Sequence, residues 1–316
     1  MEVLTSFGQL RAIQSNIVYA MGTFDGLHLG HRTVINKAVA LAKTNDAVTV
    51  VVTFDAHPLS VLAPERMPSA LLQEPVKERL LSAMGIDYML MLPMSRELLA
   101  VTADDFLDEA FNGFAVKACV VGSNFSFGAG GKGTPKQLQE VGATHGCNVE
   151  ILDLAGHEQV DGPISSTRIR SYIQEGRLEE AEALLGRPYE FVGKVIVGDQ
   201  RGRILGFPTL NFLFPKEMTL PPDGVYVNRV FLDGQWFDGV GNMGDNPTFE
   251  NQYHRFEVHL FDFNRDVYGY EARVEFLSFL RGEEKFSNLD DLIAQMKIDE
   301  QQARAFLKDY KSKHNK

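Results

Sequence analysis

The chain is poor in cysteine, with two residues, Cys119 and Cys147, among 316. Two thiols make neither a disulfide framework nor a thiolate metal site. Cys119, inside the apolar run ACVVG, reads as a buried structural thiol. No apolar run approaches the roughly 18 residues that a spanning helix needs. The opening MEVLTSFGQL has neither a basic patch nor a hydrophobic stretch, so no secretory signal and a cytoplasmic location are expected. Basic charge is also scarce. The net charge is −11, and a cut at Arg187 leaves −8 before it and −3 from there on. Neither part has the basic excess that neutralises a nucleic-acid backbone. The expected partners are therefore small molecules whose phosphates are held by local donors, with no nucleic acid and no membrane, and the chain is expected as a monomer or weak homo-oligomer.

What is present suits a folded chain, with 44% hydrophobic and 23% charged residues. At about 100–200 residues per domain the length predicts two domains. Up to residue 186, short β-rich runs alternate with helical patterns. Strands are predicted at 16–22, 48–54, 88–92, 117–122 and 148–154, and helices at 31–43, 75–85, 103–111 and 134–146. Two short helices, each closed by Gly, are predicted over 165–186. Strands apolar on both faces and alternating with helices predict a parallel sheet with helices packed outside it. After Pro188 the pattern turns to β-rich runs separated by Gly, Pro, Asn and Asp. Six such runs (FVGKVIVG, TLNFLF, GVYVNRVFL, QWFDGVGNMG, RFEVHLFDF and EARVEFLSFL) predict a small closed barrel. An amphipathic helix over 287–313 ends the pattern.

The first predicted strand runs into GTFDGLHLGH (22–31) and then directly into a helix. Gly22 and Gly26 let backbone approach a phosphate, and a helix N-terminus offers unpaired N–H groups to an anion. His28 and His31 stand three apart, which brings both imidazoles to one ligand, where they can stabilise charge on a phosphate oxygen. As zinc ligands the pair lacks a third protein ligand, and the usual helical spacing is four.

This segment closely resembles the HxGH signature of the nucleotidyltransferase superfamily, and specifically the FMN adenylyltransferase half of bifunctional riboflavin kinase/FAD synthetases. TFDAHP (53–58), VGSNFSFGAGGKG (121–133) and ISSTRIR (164–170) match the same family in the same order. The resemblance implies a Rossmann-like nucleotidyltransferase domain over 1–186 that adenylylates FMN to FAD, with His28 and His31 catalytic. It places Gly22, Phe24, Asp25, Gly26, Ser165, Thr167 and Arg168 on ATP, and Asp55, His57, Asn124, Phe125 and Phe127 on the flavin. Within the third block, residues 128–133 satisfy G-x-G-x-x-G, but Ser123 to Phe127 separate them from their strand. That spacing does not suit a dinucleotide fingerprint, and the stretch reads as a flavin-side loop.

A second dense motif lies at 198–211. Its Gly-rich turns and Arg203 suit a polyphosphate, while Thr209 and Asn211 alternate along a strand and offer oxygens to a hard cation. GRILGFPTLN resembles the riboflavin kinase signature, with Leu210 where Ala is commoner. PPDGVYV (221–227), GNMGDNPTF (241–249) and the RxExKF stretch from Arg281 to Phe286 resemble the same domain. The resemblance implies a six-stranded β-barrel riboflavin kinase domain over 187–316 with a C-terminal helix. It places ATP on Gly198, Gly202, Arg203, Gly206, Pro208, Thr209 and Asn211, Mg²⁺ (or Mn²⁺) on Thr209 and Asn211, and the general base at Glu257. Glu257 is expected to share a face with His259 only if its strand is bulged. Riboflavin, FMN, FAD and ATP are the implied substrates and products. Two further readings are a nucleotidyltransferase with a passive barrel and a flavin-binding regulator without catalysis. GFPTLN with Glu257 argues against the first, and a base together with cation ligands argues against the second.

Overall fold

The computed structural model describes residues 1–153, 162–198, 202, 205–245 and 254–314. They form two compact units. One comprises Met1–Pro68 and Glu74–Ser165, and the other Ser69–Gln73 and Ser166–Lys316.

The first unit is built on six parallel strands, β1 (Glu2–Leu4), β2 (Asn16–Met21), β3 (Ala47–Phe54), β4 (Tyr88–Leu92), β5 (Ala115–Gly122) and β6 (Asn148–Leu152). Their order is β1-β4-β3-β2-β5-β6. The predicted strands all form; β1 was not predicted, because three residues carry no readable period. In β3 the run from Thr49 to Thr53 is buried throughout, as a strand covered on both faces must be. The connections carry α1 (Phe7–Leu10), α2 (Leu29–Thr44), α3 (Leu59–Leu62), α4 (Glu74–Ala83), α5 (Arg96–Ala100), α6 (Ala103–Phe111) and α7 (Pro135–Thr144). The strand order reverses between β2 and β5, and such a switch point opens a crevice beyond the carboxyl ends of the strands. The segments that follow β2, β3 and β5 leave from this one edge, so Gly22–His31, Asp55–His57 and Asn124 share it.

The second unit contains α8 (Ser166–Gln174), α9 (Leu178–Leu185) and six antiparallel strands: β7 (Tyr189–Lys194), β8 (Leu210–Leu213), β9 (Gly224–Leu232), β10 (Gln235–Asp245), β11 (His254–Leu260) and β12 (Glu271–Gly282). The order is β7-β12-β9-β10-β11-β8, and the two edges meet through an isolated bridge from Ile196 to Asn211. Aromatic rings fill the interior; Phe256 meets Phe276 at 4.9 Å and Phe191 at 6.0 Å. The interior of the barrel is thus a packed core. Helix α10 (Leu289–His314) closes the unit. An unforeseen piece also belongs here. Ala70 pairs with Met218, and the Gln73 carboxamide exchanges hydrogen bonds with both backbone groups of Val192, at 2.6 and 3.1 Å.

Candidate active sites

In the first unit, the turn after β2 is left-handed at three places: Phe24 (φ 48°), Gly26 (φ 79°) and Leu27 (φ 44°). Gly26 adopts this conformation freely, whereas Phe24 and Leu27 are held there at a steric cost. The turn delivers His28 to the N-cap of α2, where its Nδ1 accepts a hydrogen bond from the backbone N–H of His31 at 3.2 Å. That bond leaves the proton of neutral His28 on Nε2. The two imidazoles stack at 3.5 Å with 15° between planes, and the edge of Phe24 meets His31 at 5.5 Å. Burial, reinforced by His28 and Lys77, pushes His31 well below the usual histidine range, so its ring is neutral. His31 Nδ1 is buried with no hydrogen-bond partner among the described residues.

Two neighbours of this turn were given no role by the sequence, although Thr53 opens the matched TFDAHP block. Thr53 is fully buried and donates to the Thr23 carbonyl at 3.0 Å. Lys77, from α4, donates to that carbonyl at 3.2 Å and to Thr53 Oγ1 at 3.1 Å. Both residues are ordinary members of a strand and a helix in the sequence. Only their meeting singles them out.

The other predicted residues of this site differ in their surroundings. Asp55 is exposed and accepts from the Met94 N–H at 2.8 Å; His57 is exposed and accepts from the Leu59 N–H at 3.1 Å. Asn124 is exposed, and Phe125 is half-buried. Phe127 is in the core, stacked on Phe125 at 5.6 Å and packed on Phe106 at 5.5 Å. The Gly-rich stretch 128–132 is a hairpin closed by Phe127 and Gly133, and its Ala129 N–H is spent on the Val101 carbonyl at 2.7 Å. Ser165 ends the first unit, while Thr167 and Arg168 stand in α8 of the second. There the Arg168 guanidinium donates to the Tyr172 hydroxyl at 2.9 Å.

In the second unit, β8 and β11 pair with Asn211 opposite Glu257. Asn211 Nδ2 donates to Thr209 Oγ1 at 3.3 Å, and Thr209 donates to Glu257 Oε2 at 3.3 Å. Asn211 is buried, and its Oδ1 has no hydrogen-bond partner among the described residues. Arg255 stands 3.6 Å from the other Glu257 oxygen. Thr209 lines two cavities. A larger one of about 880 Å³ also holds Glu257, His259, Asn242, Arg281 and Asp299, while one of about 190 Å³ holds Gly198, Pro208 and Asn211. The larger volume lies in the range of small-molecule sites, about 300–1,000 Å³.

The expectation about His259 needs correction. Strand β11 pairs with β10 and β8 without a bulge, yet Glu257 and His259 line the same cavity. Side chains two apart share a face in any regular strand. His259 Nδ1 donates to the Pro208 carbonyl at 2.8 Å. Gly202 accepts from the Phe207 N–H at 2.8 Å, and Gly206 is left-handed at φ 85°. Arg203, and residues 246–249 of the GNMGDNPTF block, lie outside the described residues. The cavity residues Arg281 and Asp299 escaped the sequence reading as a pair. They form a two-pronged ion pair at 2.7 and 3.0 Å between β12 and α10.

A parallel sheet with stacked imidazoles at its switch point, joined to a barrel with a carboxylate beside hard oxygen donors, defines a two-site nucleotide-dependent transferase. Comparison with known proteins narrows the class. Residues 10–168 match the family model of FAD synthetase, and residues 185–307 match that of riboflavin kinase. The bifunctional riboflavin kinase/FMN adenylyltransferase of Bacillus subtilis is 35% identical over 297 residues, covering 92% of each chain. The Listeria monocytogenes protein of the same name is 37% identical over 294 residues with the same coverage. The Escherichia coli one is 34% identical over 298 residues and 94% of each chain. The chain belongs to the bifunctional riboflavin kinase/FMN adenylyltransferase family. A crystal structure from Streptococcus pneumoniae, described as a macrolide-efflux protein, superposes with a TM-score of 0.87 at 33% identity, covering 96% of this chain and 98% of that one. Efflux is said of that protein. Among the described residues of the present chain, no helix is long and apolar enough to cross a membrane.

Proposed function

We propose that the family's two reactions are divided between the two sites, with the boundary between Gly186 and Arg187. Riboflavin and ATP give FMN and ADP at the barrel mouth; FMN and a second ATP give FAD and pyrophosphate at the paired imidazoles. The observation that carries this division is the Asn211–Thr209–Glu257 chain, with links of 3.3 Å each, standing between two cavities. It provides a base for a flavin hydroxyl on one side and oxygen donors for ATP on the other.

In the kinase step Glu257 takes or orients the proton of the riboflavin 5′-hydroxyl as that oxygen attacks the γ-phosphate. Asn211 Oδ1, buried without a partner among the described residues, and the neighbouring Thr209 oxygen fit a hard divalent cation. Mg²⁺, or Mn²⁺ on the same atoms, supplies charge neutralisation on the ATP phosphates when bound. Gly198, Gly202, Arg203, Gly206 and Pro208 complete the nucleotide side.

In the adenylyl step the FMN phosphate attacks the α-phosphorus of ATP and pyrophosphate leaves. His28 and neutral His31 donate to the oxygens on which charge grows, while Gly22, Phe24, Asp25 and Gly26 bring backbone to the phosphates. Ser165 adds a donor to ATP, and Asp55, His57, Asn124 and Phe125 form the flavin side, with Phe127 packed behind Phe125 in the core. The acidic surplus of −11 supports small-molecule rather than nucleic-acid substrates. A cytoplasmic monomer or weak homo-oligomer fits this reading.

The test is to incubate the protein with riboflavin, ATP and Mg²⁺ and separate the flavins by chromatography. Glu257→Ala should abolish FMN formation while FMN supplied directly is still converted to FAD; His28→Ala should make FMN accumulate. Equal loss of both activities in either variant refutes the division.

A further inference from the structure

We infer that Lys77 is a positioning residue of the adenylyl-transfer site: its ammonium group ties the Thr23 carbonyl to the Thr53 hydroxyl and so fixes the turn that presents His28 and His31. The inference rests on assigning adenylyl transfer to those histidines.

The geometry is a closed triangle. Lys77 Nζ stands 3.2 Å from the Thr23 oxygen and 3.1 Å from Thr53 Oγ1, and Thr53 Oγ1 is 3.0 Å from the same Thr23 oxygen. Thr23 immediately precedes Phe24, the first of the three left-handed residues of the turn. A turn with two non-glycine residues held at positive φ does not keep that shape unaided, and persists only when its surroundings over-determine it. Within this first unit, the Lys77–Thr53 pair supplies such a restraint at the residue where the turn begins. Thr53 is fully buried in the central strand β3, so the anchor point is rigid.

The charges facing Lys77 come from each neighbouring segment. They are Asp25 of the turn, Glu74 of its own helix, Asp55 beyond β3, and the His31 imidazole of α2. The carboxylates favour the ammonium form, but burial outweighs them and pushes Lys77 down to about 8. The restraint therefore loses its charge-assisted character in a pH range where the enzyme can be assayed, since bonds from an ammonium are roughly twice as strong as those from a neutral amine. Arginine in the same place does not titrate.

The full-length protein tests this with two assays on each variant, FMN adenylylation and riboflavin phosphorylation. Lys77→Met should lower adenylylation at pH 7 by about tenfold or more, with phosphorylation within about twofold of the parent. Parent adenylylation should decline above pH 8, and that decline should be absent from Lys77→Met. Retained adenylylation in Lys77→Met, or an unchanged alkaline decline, overturns the inference. Should Lys77→Met lose both activities by failing to fold, Thr53→Val decides: a several-fold loss of adenylylation alone supports the triangle, and full retention overturns it. Where both single variants fold, the double variant should be no slower than Lys77→Met, because the two residues act as one unit; additive losses overturn it. His28→Ala keeps the two questions apart. If it leaves adenylylation intact, the site assignment fails. If it abolishes adenylylation while Lys77→Met and Thr53→Val do not, only the role of Lys77 falls.

Discussion

The carboxamide of Asn211 occupies the space where a β-carbon on Gly198 would lie. The glycine at 198 is therefore a packing requirement of Asn211, the residue proposed to hold the cation, quite apart from any approach of ATP to the backbone. Gly198→Ala should push Asn211 off Thr209 and cost about 1–3 kcal/mol of stability, the usual range for overpacking. Riboflavin phosphorylation should fall at least tenfold while adenylylation stays near the parent rate, and urea denaturation with the two flavin assays measures both effects.

The partnerless Oδ1 of Asn211 gives a second expectation. A buried carbonyl left without a hydrogen bond costs about 1–3 kcal/mol, so Asn211→Leu should leave the ligand-free protein no less stable than the parent. The same variant should need at least tenfold more Mg²⁺ for half-maximal phosphorylation, with no change in the Mg²⁺ dependence of adenylylation. Metal titrations of both reactions read this directly.

Stability should respond to pH through Lys77 and His31. Lys77 sits at about 8 when folded against its ordinary 10.5, so between those values the unfolded chain holds a proton that the folded chain has shed. Stability therefore rises with pH across that window, and the burial penalty is complete below pH 8. Lys77→Met lacks this gain, so the parent's denaturation midpoint should climb relative to the variant's between pH 8 and 10.5. His31 is also depressed, below its ordinary 6.5, and its neutral burial is opposed as pH falls beneath that value. His31→Gln should flatten the acid side of the same profile.

The Arg281–Asp299 pair fastens α10 to β12 beside the larger cavity. Asp299 is only 3% exposed and also accepts from Gln295 at 2.8 Å. Removing one partner of a buried pair costs about 3–5 kcal/mol because the other charge stays behind. Asp299→Ala should destabilise by about 3 kcal/mol, the low end, since the Arg281 side chain keeps 18% exposure. It should also raise the KM for riboflavin. An unchanged urea midpoint would contradict both statements.

Much of the architecture was legible in local pattern. The strand–helix alternation up to residue 186 and the six β-rich runs after it correspond to the strands of the two sheets, with boundaries off by a few residues where caps intervene. Helix α2, for example, begins at Leu29 because His28 caps it through its ring. His28, His31, Thr209 and Asn211 were legible for a different reason: each stands in a dense run of glycines and polar groups that ordinary packing does not call for. Glu257 lies in the plain strand pattern RFEVHLFDF and was marked only by the family resemblance. Lys77 and Asp299 stood in no dense run either, and Thr53 and Arg281, although inside the matched TFDAHP and RxExKF stretches, were given no role there. The mistaken condition placed on His259 came from misapplying strand alternation, and the regular β11 ladder removes it.

The sequence by itself determined which segments become strands and helices, where the chain turns, and which residue types are gathered for phosphate and cation chemistry, because periodicity and backbone preference act over a few residues. Only the tertiary structure decided that Lys77 closes a triangle with Thr23 and Thr53, that residues 69–73 leave one unit to pair within the other, and that Asn211 lies against Gly198 with an oxygen to spare. The first two join residues tens to more than a hundred positions apart, and the third depends on how the two ends of one motif are brought together. All three arise from which strands pair and which surfaces are buried together, and neither is written in any short stretch of chain.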